Sequence, residues 1–152
     1  MAEPRFRRAI DKVAKPILEP LGFSLRIHSE PGYGGVYTFL RSWKAGYMQA
    51  IGLYTSRNSR AFTVELGVLP GNFDISVAVS ETSPTFRELG VRERLGKIVS
   101  TPGLHVDSFH RDFLEYKDQA SLEDALRRTI EQAIYHGPEV WERMGRRLLE
   151  KE

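Results

Sequence analysis

The chain predicts an α+β fold: an antiparallel sheet of four to five strands, with N-terminal and C-terminal helices packed mainly on one face. Three observations carry this. From Gly35 to Val79 apolar and polar residues alternate with period two, most clearly in Phe62, Val64, Leu66 and Val68 and again in Phe73, Ile75, Val77 and Val79. Apolar stripes at helical spacing stand at both ends of the chain. Strands and helices are therefore segregated along the sequence, which is the pattern of a sheet covered by helices rather than of alternating βαβ units. The 152 residues suit one domain, 1–152, large enough to bury a core without a staple.

Residues 4 to about 19 predict an amphipathic helix, with Phe6, Ile10, Val13, Ile17 and Leu18 on one side and basic residues between them. Pro4 suits a first turn. Pro16 removes an intrahelical bond and should kink or shorten the helix, which Pro20 and Gly22 then end. Phe23–His28 alternates as a first strand. Pro31-Gly32-Tyr33-Gly34-Gly35 reads as a hairpin loop; it lacks the lysine and the following helix of a phosphate-binding loop.

Val36–Arg41 is the next strand, with Tyr37, Phe39 and Arg41 on one face. Tyr47–Thr55 is apolar on both faces and belongs in the middle of the sheet. Ser56-Arg57-Asn58-Ser59 leads into the Phe62 strand, and Pro70-Gly71-Asn72 turns into the Phe73 strand. Ser83-Pro84 resembles a helix start, so residues 84–100 predict one or two short helical pieces. His105–Tyr116 reads as a short strand or an irregular connection. Ser121, with Asp124 three residues on, predicts the cap of a helix running to about His136. Gly137-Pro138 is expected to break it and to start a second helix, with Val140, Trp141, Met144, Leu148 and Leu149 on its apolar face.

Composition excludes several classes. There is no cysteine, hence no disulfide framework, thiolate metal site or cysteine nucleophile. No apolar run reaches the ~18 residues of a membrane span, and no secretory h-region follows the basic N-terminus, so a cytoplasmic protein without membrane contact is expected. Residues 1–60 carry ten Lys/Arg against four Asp/Glu. That balance permits an anionic partner such as nucleic acid. It equally describes Arg5, Arg7, Arg8, Lys12 and Lys15 as the solvated face of one helix.

Among candidate sites, His105-x-Asp107 and His110-x-Asp112 offer imidazole and carboxylate at alternate positions, a donor set for zinc, iron or manganese or for a His–Asp acid–base pair. The spacing matches no strong ligand pattern, and no cofactor is expected. Gly-x-Ser-x-Gly is absent. A sheet face carrying Tyr37, Arg41, Tyr47 and Gln49 has the aromatic and arginine character of protein interfaces.

Leu21-Gly22-Phe23, Tyr37-x-Phe39-x-Arg41, Gln49, Ser56-Arg57-Asn58-Ser59, Phe62-Thr63-Val64-Glu65-Leu66-Gly67-Val68 and Arg94-Leu95-Gly96 follow one another over most of the chain. In that order they resemble a family of small bacterial proteins catalogued as a domain of unknown function. The chain departs from that pattern near His105, where no tryptophan stands. The resemblance implies an α+β fold and a bacterial cytoplasmic origin. It transfers no catalytic residue; some such proteins are associated with immunity or defence. The expectation is thus a non-catalytic module that binds another protein. A small-ligand or metal-dependent enzyme using His105–Asp112, or nucleic-acid binding through the basic N-terminal part, is the alternative.

Overall fold

The computed structural model describes residues 4–28, 32–44, 46–57, 59–70, 91–94, 104–105 and 113–150. The N-terminal helical segment has three parts: α1 (Pro4–Ala9), one π turn (Ile10–Ala14) and α2 (Lys15–Leu18). Pro16 explains the π turn. Its ring has no N–H and collides with the carbonyl four residues back in a regular helix. Here the Lys15 N–H bonds the Ile10 carbonyl five residues back, and the widened turn accommodates the ring. The expected disturbance is present, as a π bulge.

A 3-10 turn (Glu19–Leu21) leads to Gly22 at φ 97°. The Gly22 N–H bonds Glu19 O at 3.0 Å and the Phe23 N–H bonds Leu18 O at 3.2 Å. This is a Schellman stop, with glycine at the left-handed position and apolar Leu18 and Phe23 on either side of it.

Four long or medium strands follow: β1 (Ser24–His28), β2 (Tyr33–Ser42), β3 (Tyr47–Ser56) and β4 (Ala61–Pro70). All pair antiparallel in sequence order, with an irregularity in the β2–β3 register between Tyr33 and Gly35. β3 lies between β2 and β4 and is buried on both faces, as its two apolar faces predict. The far edge of β4 is shared by short strands. β5 (Val91–Arg94) pairs with Glu65–Val68, and β7 (Phe113–Glu115) pairs with Ala61–Phe62 and with β6 (Leu104–His105). Val91–Arg94 corrects the helix expected there: β4 offers an unpaired edge, and pairing overrides the helix preference of Arg and Glu. The Phe73–Val79 strand and the rest of the 84–100 helix lie outside the described residues.

One helix, α3 (Gln119–Glu150), replaces the two expected C-terminal helices; Pro138 lies inside it. Its cap also differs. Asp118 Oδ1 accepts the Ser121 N–H at 2.8 Å, and Ser121 Oγ accepts the Asp118 N–H at 3.1 Å. Asp118 is thus the N-cap and Ser121 the reciprocal third residue, so the helix begins earlier than its Ser121 signal suggests.

The helices cover one face of the sheet. Phe6 stands 5.3 Å from Tyr37 and 5.5 Å from Phe62, ring centre to ring centre, and Phe23 stands 6.0 Å from Trp141. Cross-strand rows such as Tyr37–Leu53–Val64 and Phe39–Ile51–Leu66 form the floor of this core. The β2–β3 turn is fastened to α3 by Lys44–Glu142 and by the Trp43 ring, which fills the space left by Gly145.

Candidate interaction surface

The four residues expected to form an open binding face do not form one. Tyr37 is 1% exposed, under Phe6 of α1. Gln49 is buried, and Tyr47 is half-buried against the core. The physical reason is parity: odd-numbered positions of β2 and β3 point toward the helices. Arg41 and Gln49 do come together. Arg41 Nε and Nη2 donate to Gln49 Oε1 at 3.0 and 2.6 Å, and Nη1 donates to the Leu21 carbonyl at 3.0 Å. The guanidinium lies 4.4 Å from the Phe23 ring centre and 5.8 Å from that of Trp141. Burial pulls the Arg41 pKa below its ordinary value. The group is a clamp joining the helix stop, β2 and β3 under α3, not a docking surface.

Of the candidate metal ligands, His105 ends β6, in register with Phe113. Asp107, His110 and Asp112 lie outside the described residues, among which no cluster of three or more His, Cys, Asp or Glu occurs. In the basic N-terminal helix, Arg7 and Lys15 reach Asp11 at 3.6 and 3.0 Å, and Lys12 reaches Glu123 of α3 at 2.9 Å. Much of that basic stretch is thus paired with carboxylates. Lys15, followed by Arg7, holds the Asp11 carboxyl below its usual range, and Lys12, then Gln119, does the same for Glu123.

The second sheet face holds residues that alternation alone assigns to solvent. Thr38, Thr63 and Glu65 are buried there beside Tyr54, Ala50 and Leu69. Thr38 shares a 3.0 Å hydrogen bond with His28. The register places Thr38 opposite Gly52 and Gly52 opposite Glu65. A Cβ on Gly52 would stand 2.8 Å from a Tyr54 ring carbon, so the tyrosine occupies the glycine's side-chain space. The signal in the sequence was the mixed, Thr- and Gly-containing second face of β3 and β4.

Among the described residues, two surface features bear on binding. Along the flank of α3, Leu114, Ala125, Arg128, Gln132, Tyr135 and His136 border a groove of about 300 Å³, and Tyr135 is 81% exposed. The other is β1, the outermost strand. Among the described residues no strand pairs with its outer edge. Ser24, Arg26 and Ile27 are exposed, Ile27 to 45%. Sequence reasoning identified the strand but not its edge position, because strand order is a tertiary property.

These features define an α+β sheet protein, helix-covered on one face and, among the described residues, with the outer edge of β1 unpaired. No family model, curated protein or solved structure matches the chain. No helix among the described residues is long and apolar enough to cross a membrane.

Proposed function

We propose that the protein is a non-catalytic protein-binding module that takes its partner by sheet extension at β1. The observation that supports this reading is the outer edge of β1, with which no strand among the described residues pairs, and Ile27 standing exposed on it. An edge strand presents a row of unpaired backbone donors and acceptors, which an extended segment of another chain satisfies while pockets beside it select side chains. β1 carries no proline, and its register with β2 is unbroken over all five residues, so its edge is geometrically competent for pairing. A bacterial cytoplasmic setting, with an immunity- or defence-type partner, belongs to the same proposal and is supported by the motif resemblance alone.

The test is affinity capture from source cells, with nuclease treatment, comparing the native chain with Ile27→Lys. A stoichiometric protein held by the native chain and lost by the variant supports the reading. A partner released by nuclease, or held equally by Ile27→Lys, overturns it.

A further inference from the structure

Resting on the sheet-extension reading, we propose that the segment taken up at β1 is an extended, acidic strand of a protein partner. Its carboxylates alternate with apolar side chains.

The two faces of β1 carry opposite demands. On the helix-covered face, Leu25 continues the row Phe39–Ile51–Leu66 and Ile27 continues Tyr37–Leu53–Val64. A strand added outside β1 places residues opposite Leu25 and Ile27, and apolar side chains there lengthen rows that are already apolar. On the other face, Arg26 heads the row Thr38–Gly52–Glu65. Glu65 lies three strand spacings away, about 14 Å, too far to neutralise it directly. The Arg26 guanidinium instead donates to the Leu25 carbonyl of its own strand at 3.0 Å. A carboxylate on an incoming strand, directly opposite Arg26, meets an exposed cation at cross-strand distance.

The same arginine argues against a second copy of this chain as the occupant. Antiparallel pairing of two β1 strands about a two-fold axis must keep each side chain on its own face. The central register then sets Arg26 against Arg26 of the other copy. A shift of one register step sets it against Ser24 or His28. Like charges directly opposite destabilise a strand pair, and neither shifted register supplies an anion. The edge is guarded against itself and complementary to acid.

The experiment titrates the full chain with labelled ten-residue peptides of alternating Glu and Val, of alternating Lys and Val, and of the Glu/Val sequence interrupted by prolines. Binding is followed by fluorescence anisotropy and by amide hydrogen exchange at β1. The expected result is protection of β1 amides by the Glu/Val peptide, with affinity about tenfold above that of Lys/Val. Arg26→Glu, at an exposed position, should reverse that preference. Equal binding of Glu/Val and Lys/Val with β1 protected overturns the acidic partner and leaves sheet extension standing. Equal binding of the proline-interrupted peptide, or no binding of either uninterrupted peptide, overturns both.

Discussion

Arg41 shows what one side chain does when all its groups are engaged. Three nitrogens donate to Gln49 and to the Leu21 carbonyl, while the guanidinium plane lies against Phe23. A lysine cannot reproduce a planar fork that bonds and stacks together. Arg41→Lys should therefore cost about 2 kcal/mol, the range for lost hydrogen bonds to a charged group, read as a lower urea midpoint at unchanged slope. Gly137 makes a sharper case. In an exposed helix, Gly→Ala stabilises by about 1 kcal/mol. Here an added Cβ would stand 2.6 Å from the Trp141 ring, itself buried in the core. Overpacking of about 1–3 kcal/mol should win, so Gly137→Ala should lower the urea midpoint rather than raise it.

At the scale of elements, α3 sets proline against burial. Pro138 costs about 3 kcal/mol in a helix interior. Continuing the helix buries Val140, Trp141 and Met144, at about 1.5–3 kcal/mol each. The sum exceeds the penalty, so the helix runs through. Pro138→Ala should raise stability by up to about 3 kcal/mol, seen as a higher melting temperature. The start of α3 and its contact with the N-terminal helical segment should respond to acid. Hydrogen bonds from Ser121 hold the Asp118 carboxyl below its usual range, as Lys15 does for Asp11 and Lys12 for Glu123. A depressed folded-state pKa contributes stability above the unfolded value, and that contribution is lost as pH falls through the folded value. The melting temperature should therefore be flat from neutral pH down to about 5 and should fall below the ordinary Glu and Asp values of 4.5 and 3.8. Asp118→Asn keeps the capping acceptor but removes the titration, so its acid slope should be shallower.

Across the whole molecule, the sheet depends on its helical cover. Phe6, Ile10, Val13 and Leu18 are buried with Tyr37, Phe39 and Phe62 in one core. Removing residues 1–21 should abolish cooperative unfolding, since it exposes the helix-side face of β2 and β4 over far more area than a domain's ~10 kcal/mol of net stability tolerates. Ile27→Lys should behave oppositely: at a half-exposed edge position it should leave the unfolding free energy, from urea titration, within about 0.5 kcal/mol of native. Measured side by side, the two changes separate the packed face from the open edge.

The α+β class, the four main strands, the terminal helices and the central place of β3 were all legible along the chain. Each rests on local periodicity: alternation in Phe62–Val68, helical spacing in Phe6–Leu18 and in Leu122–Ile134, and two apolar faces in Tyr47–Thr55. Only the tertiary structure decided the rest. Val91–Arg94 became a strand because β4 had an edge to pair. Gly137-Pro138 stayed helical because the residues beyond it had a core to enter. Tyr37, Arg41, Tyr47 and Gln49 were withdrawn from a binding face because strand parity turned them toward the helices. Ile27 and Arg26 reached the surface because β1 came last in the strand order. Periodicity says that a residue has a face; what lies against that face is set by chain segments far away in sequence.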